Sequence, residues 1–315
     1  MHSVVNSSLR KIFETMRPII TTDAPLHMRR ALSRKQRVVR DTMGLPVTLG
    51  RLGSLELRLA TTRKDIRRAQ RLRYTVFYEE MSAVAPAHHT LIRRDKDAFD
   101  KVCDHLLVID HAYESGPVKI KRPKVIGTYR LLRQDVAEQN FGFYSESEFQ
   151  VGDLLMRHPD QRFLELGRSC VLAPYRTKKT LELLWQGIWA YVLHHRIDVM
   201  FGCASLEGTR PALMAQELAF LHHHARPQDA WDVKALAHRA TPMNCLTKES
   251  LDPRKILTRL PPLLKGYLRL GAKIGDGAVI DRQFGTTDVL VIMRICEIDP
   301  RYISYYGADA NRYAA

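Results

Sequence analysis

The spacing of apolar residues along this chain alternates between two periods. Leu55-Glu-Leu-Arg-Leu59 repeats every second residue and predicts a strand. Thr62 with Asp65 three residues on resembles a capping box. The helix that follows is expected to reach about residue 80. Its inner face reads Ile66, Ala69, Arg73, Val76 and Phe77. Strand-like runs recur at 105–110 and 125–132, with a Gly/Pro/Lys-rich hairpin loop between them. Residues 133–161 are polar and read as loop with short helix. A strand at 163–172 then feeds a helix over 180–195, and an apolar strand covers 199–204. Gly208-Thr-Arg-Pro211 suits the entry to a helix reaching about His222. A short amphipathic helix at 260–270 and a buried strand at 288–293 follow. The order β-α-β-β-β-α-β-α-β predicts an α/β fold, a mixed central sheet flanked by helices.

Three elements carry charge where their period predicts core. Arg73 lies on the apolar side of its helix, Arg130 shares a strand face with Ile126, Thr128 and Leu132, and Glu165 and Arg168 interrupt the apolar strand Phe163–Leu172. Burying such groups is costly unless they are paired or used. Asp95, Asp97 and Asp100 form an acidic cluster that supplies counter-charge. Several such groups together mark a candidate site. Glu165 and Arg168 are three apart, which a strict strand would place on opposite faces; Gly167 between them suggests a bulge that brings both to one cleft.

The turn Pro174-Tyr-Arg-Thr-Lys-Lys-Thr180 precedes a helix. Helix N-termini hold phosphates through unpaired N–H groups and the dipole, and Arg176, Lys178 and Lys179 add charge there.

Composition narrows the partners. The 315 residues carry 49 Lys and Arg against 34 Asp and Glu, a formal charge of +15. That balance points to an acidic partner: an acidic carrier protein, an anionic membrane surface or nucleic acid. No nucleic-acid-binding motif is recognisable, which makes nucleic acid the weakest of the three. Residues 1–52 read as a basic extension, flexible or membrane-docking, with a short amphipathic helix at 9–16; residues 53–315 read as one domain. The five cysteines are scattered and form no CxxC pair, so neither a metal site nor a disulfide framework is expected. A cytoplasmic protein, peripheral on the inner membrane face, is the expected setting.

Four motifs occur in order: Leu72-Arg-Tyr-Thr-Val-Phe-Tyr-Glu-Glu80, the Asp95/Asp97/Asp100 set, Gly127-Thr-Tyr-Arg130 and Glu165-Leu-Gly-Arg168. They resemble the signature of the acyl-homoserine-lactone synthases of the GNAT acyltransferase superfamily. Cys103-Asp-His-Leu-Leu107, Gly202-Cys-Ala-Ser205 and the tail from Pro261-Pro-Leu through Phe284-Gly-Thr-Thr-Asp288 resemble a neighbouring group, the bacterial ornithine N-acyltransferases of ornithine-lipid biosynthesis. The second resemblance spans about residues 50–310. It implies a GNAT-like sheet with a C-terminal helix-strand addition, and transfer of a 3-hydroxyacyl chain to the α-amine of ornithine.

The resemblance also implies roles. Glu165 would be the base, with Arg168 beside it. Arg73, Phe77, Asp95, Asp97, Asp100 and Arg130 would form the substrate-binding set. Asp97 and Asp100 would either grip the cationic end of ornithine or lock Arg73 and Arg130. The 176–180 turn lacks the glycines of acetyl-CoA-binding turns in this superfamily. It suits a single phosphate, as on the 4'-phosphopantetheine arm of acyl carrier protein, which is itself acidic. No Trp follows the Phe77 motif, as it does in the lactone synthases, and their chains lack this tail. A lactone-synthase-like activity or another amino-acid acyltransferase remains the alternative, and a basic membrane-surface or nucleic-acid-binding protein is the non-enzyme one.

Other residues invite simpler readings. Cys170 is expected to be a buried small side chain, His222–His224 a surface run at a helix end, and Trp185 and Trp189 core packing.

Overall fold

The computed structural model describes residues 42–81, 83–115 and 120–302. The helix expected at 9–16 lies outside them. Strand β1 (Thr48–Leu52) pairs antiparallel with β2 (Leu55–Leu59) across a turn at Gly53, whose φ of +57° favours glycine. The sheet therefore begins ahead of residue 53. Helix α1 (Arg63–Tyr74) starts as its sequence predicts, with the Thr62 hydroxyl accepting the Asp65 N–H at 3.1 Å. The apolar spacing predicts α-helix to residue 80. Instead Thr75–Glu80 widens into a π turn. Such turns are short, and frequent at functional sites; here the turn carries Phe77 to a cavity wall.

Strands β3 (Asp104–Asp110), β4 (Lys124–Arg133), β5 (Phe163–Val171), β6 (Val199–Glu207), β7 (Ala240–Thr241), β8 (Lys273–Ile274), β9 (Ala278–Asp281) and β10 (Thr286–Arg294) complete a ten-stranded sheet. Its order is β1-β2-β3-β4-β5-β6-β10-β9-β7, with β8 also paired to β10. Every pairing is antiparallel except β5 with β6. The expected mixed α/β architecture and the C-terminal helix-strand addition are both present. The short strands β7 to β9 are not legible in the sequence, because two to four residues are too few to show a period.

After α1 come helices α2 (Ala87–Ile92), α3 (Gln134–Glu138), α4 (Val151–Arg157), α5 (Lys178–His195), α6 (Ala215–His224), α7 (Pro253–Arg259) and α8 (Pro262–Arg269). Alternation along the strands divides the core into two clusters. Leu164 and Met200 belong to one with Leu57, Leu106 and Trp189; Phe163 and Phe201 belong to the other with Phe149 and Ile292. Helix α5 seats on the first. A side chain at Gly187 would come within 2.6 Å of Leu57, so glycine lets the helix lie close to the sheet.

Two irregularities prepare the site. Parallel pairing of β5 with β6 covers Phe163–Glu165 against Val199–Phe201 and stops there. Beyond it the strands part, β5 staying with β4 and β6 with β10. Gly202 stands where they separate: a Cβ there would lie 2.2 Å from the Leu166 carbonyl oxygen. The second is a bulge in β5. Arg130 pairs with Gly167 and Thr128 with Cys170, so Arg168 and Ser169 both oppose Tyr129. The bulge expected at Gly167 falls one residue later, and Arg168 takes the left-handed conformation, φ +49°.

Candidate active site

The gap between β5 and β6 opens into a cavity of about 500 Å³. Its lining includes the apolar side chains of Val76, Phe77, Leu181, Leu263 and Phe284. It also includes the polar side chains of Arg130, Tyr144, Glu165, Arg168, Asp281 and Asp288. Phe77 meets Phe284 edge to face at 5.5 Å, which ties the π turn to the loop before β10.

Beneath the cavity the charged residues converge. Arg73 is fully buried and donates to Asp95 at 2.7 Å and to Asp100 at 2.8 Å. Arg130 grips both oxygens of Asp97, at 2.7 and 2.6 Å. Arg168 lies 3.4 Å from Asp95 and 3.4 Å from Asp97. Gln70 adds a hydrogen bond to Asp100 at 2.8 Å, and Asp97 caps the turn Ala98–Lys101. Three arginines thus balance three aspartates. Burial alone would raise the Asp97 carboxyl, but the charges of Arg130 and Arg168 outweigh it and hold it at about 2. Asp95 is likewise held below the usual range, by Arg73 and Arg168 against the cost of burial.

Arg73, Asp95, Asp97 and Asp100 are not among the described residues that line the cavity. Asp97 pairs with Arg130 and Asp100 with Arg73. Arg130 and Arg168 form the upper layer. The Arg168 guanidinium sits 4.7 Å from the Tyr144 ring and 4.9 Å from the Phe284 ring.

Glu165 lines the same cavity but stands outside the ion network. Its oxygens accept the backbone N–H groups of Tyr144 at 2.9 Å and Ser145 at 2.8 Å, and the Ser145 hydroxyl. Burial pushes the carboxyl above its ordinary value despite these bonds. Glu165 therefore anchors the turn Tyr144–Ser147 and presents a buried carboxyl to the cavity.

The basic turn is split. Arg176 lines the cavity, donates to the Val171 carbonyl at 2.9 Å and pairs with Glu80 at 2.5 Å. Lys178, at the start of α5, faces solvent 3.5 Å from Glu182, and Lys179 is exposed. Thr177 caps the helix, accepting the Thr180 N–H at 3.3 Å. Of the three cations, Arg176 is among the described residues that line the cavity, and Lys178 and Lys179 are not.

The sequence assigned no role to the far wall. Asp288 on β10 pairs in register with Ser205 on β6, and Thr286 with Asp281 on β9. By strand alternation all four share a sheet face, and all line the cavity. Burial pushes Asp288 above its ordinary value, and the Asp281 charge adds to that. Nearby Glu148 is buried and pushed to about 6, by burial first and then by Asp288. The sequence reading makes Asp288 the first residue of a buried strand, where a carboxylate at the end of the run does not stand out as a charge in the core.

The remaining expectations resolve simply. Cys170 is buried, and burial pushes its thiol to about 12, which favours the neutral thiol. His223 bonds the Leu246 carbonyl at 2.8 Å and His222 lies 3.6 Å from Asp276, each in its own direction at the end of α6. Trp185 and Trp189 are core.

Residues 72–186 match the family model described as an acetyltransferase (GNAT) domain. The chain is 54% identical over 270 residues to the L-ornithine N(alpha)-acyltransferase of Brucella abortus (strain 2308), covering 86% of this chain and 95% of that one. It is 51% identical over 279 residues to the protein of that name from Rhizobium meliloti (strain 1021), covering 88% and 93%. A more distant one, from Rhodobacter capsulatus, is 39% identical over 253 residues, covering 80% and 95%. With a GNAT sheet, a cavity at its splayed strands and relatives matched over nearly their whole length, the chain belongs to the L-ornithine N(alpha)-acyltransferase family of acyltransferases.

Proposed function

We propose that this enzyme moves a 3-hydroxyacyl chain from the 4'-phosphopantetheine thioester of acyl carrier protein to the α-amine of ornithine, giving a lyso-ornithine lipid. The observation that carries this is a cavity whose lining combines apolar and ionic side chains, opening where β5 parts from β6. An acyl chain suits the first set of side chains and an amino acid the second. The amide-bearing pantetheine arm can pair along the unpaired strand edge as an added strand would. Arg176 and the start of α5 take its one phosphate, and the positive chain draws the acidic carrier.

In the reaction the neutral amine attacks the thioester carbon. Glu165, acting through a water, takes a proton from the amine. A backbone N–H on the open edge of β5 holds the oxygen as it gains charge. Collapse breaks the C–S bond; the pantetheine sulfur leaves and is protonated, and an amide remains. Arg168 orients the acceptor carboxylate, with Arg73, Arg130 and the three aspartates holding it in place. Such a product belongs at a membrane. No helix among the described residues is long and apolar enough to cross one, so we place the enzyme on the inner surface, docked through its basic segments.

The test is a thiol-release assay with 3-hydroxyacyl carrier protein and a panel of amino acids. Ornithine-dependent release with amide formation is expected. Equal release from acyl-CoA would remove the carrier from the proposal. Release with S-adenosylmethionine but not ornithine would overturn the acceptor.

A further inference from the structure

The two ends of the cavity differ in charge balance. Beneath the β4–β5 end, three arginines meet three aspartates. Toward β9 and β10, Asp281, Asp288 and Glu148 gather; Arg239 lies 3.1 Å from Glu148, and the charge of Arg168, already shared with Asp95 and Asp97, reaches Asp288. Asp281 spends one oxygen on the N–H groups of Gln283 and Phe284, at 2.8 and 3.0 Å. Asp288 is only 7% exposed and lines the cavity; the Ser205 and Thr286 hydroxyls lie within hydrogen-bonding reach of its carboxyl, and among the described residues no cation forms an ion pair with it. A buried carboxylate without an ion-pair partner is expensive, and native structures rarely keep one unused. Among the described residues, this end is short of a cation.

We infer that Asp288 is the specificity-determining residue for the acceptor: its carboxylate, facing the cavity from β10, takes the side-chain ammonium of a diamino acid. The inference rests on the acceptor reading above and deepens it. An acceptor with a carboxylate and two amines needs three points of contact. Arg168 on β5 serves the carboxylate, and the α-amine must sit at the open edge of β5, where the thioester lies. The second amine, three methylenes away, then has to reach across the splay. Across the splay from β5 lie β6 and, paired to it, β10, where Ser205 stands beside Asp288 as a further oxygen. An amino acid with an uncharged side chain would leave the Asp288 carboxylate buried and unpaired, the situation in which polar sites discriminate most strongly.

The experiment compares ornithine with norvaline, which keeps the three-carbon chain and lacks the second amine. In the wild type kcat/KM for ornithine should exceed that for norvaline by at least about 100-fold. In Asp288→Asn, of nearly the same shape, that preference should fall to within about tenfold. The ratio cancels any loss of folded enzyme or of chemistry common to both acceptors. A preference kept in Asp288→Asn, with thioester still consumed, overturns this inference and leaves the proposed function standing. A wild type that uses neither acceptor overturns both. Should Asp288→Asn fail to fold, Asp288→Glu decides. It moves the carboxylate one methylene into the cavity, so preference should shift toward 2,4-diaminobutyrate, and an unshifted preference overturns the inference.

Discussion

The guanidinium of Arg168 lies 4.7 Å from the centre of the Tyr144 ring, and the residue that carries it has a φ of +49°. A left-handed arginine inside a strand is uncommon and carries strain. Its surroundings offset this: carboxylates of Asp95 and Asp97 on one side, the rings of Tyr144 and Phe284 on others. The bulge spends local energy to turn one cation toward the cavity. Replacing Arg168 with Lys keeps the charge and loses the planar fork and the ring contacts. We expect activity to fall at least about 100-fold and stability by about 2 kcal/mol. Urea unfolding beside the thiol-release assay separates the two; a fully active Arg168→Lys enzyme would exclude the orienting role.

Arg73 is a different case, since its work is internal. Removing it as Arg73→Met leaves Asp95 and Asp100 buried without their main cation. Breaking one side of such a network costs about 3–5 kcal/mol. The urea midpoint should drop accordingly, and a variant as stable as wild type would show that the network contributes little.

Glu165→Gln carries two expected effects. Both carboxylate oxygens accept N–H groups, so an amide must point its own NH2 at one of those donors. Stability should fall by about 1–3 kcal/mol. Turnover per folded molecule should fall at least about tenfold if Glu165 is the base. Measuring activity below the variant's melting range distinguishes them; wild-type turnover there would reduce Glu165 to an anchor for the Tyr144–Ser147 turn.

Gly202→Ala tests the parting of the strands. The added methyl would lie 2.2 Å from the Leu166 carbonyl oxygen, which belongs to backbone and cannot swing aside. The β5–β6 pairing must open, with a large loss of thermal stability. A melting temperature unchanged from wild type would contradict this geometry.

Stability should also depend on pH through His105. Burial, then the Arg73 charge, pushes this imidazole from 6.5 to about 4. Between those values the unfolded chain binds a proton that the folded chain refuses. The His105 contribution is therefore fully present above pH 6.5 and lost as pH falls toward 4, at up to about 1.4 kcal/mol per pH unit. His195, also at about 4, acts in the same direction, and Glu148, at about 6, opposes it. Unfolding free energy measured from pH 8 to 4 should fall less steeply in His105→Gln than in wild type, and parallel curves would refute the assignment.

The sequence by itself determined the order of the main elements and named the charges that do not belong in a core. Apolar patterning located α1, β3 to β6, α5 and α8, because the helices bury a continuous face and these strands are apolar on both. Arg73, Arg130, Arg168 and the three aspartates stood out for the reason that now explains their pairing: a buried charge must have a partner. What only the tertiary structure decided is where those partners lie and which residues face substrate. The π turn, the bulge at Arg168 and the parting of β5 from β6 at Gly202 depend on contacts between segments dozens of residues apart. Asp288 joined the cavity for the same reason. Its place in the sequence, at the head of a run that reads as a buried strand, does not single it out; it gains the cavity and its neighbour Ser205 only when β10 closes beside β6, because that group lies on a distant part of the chain.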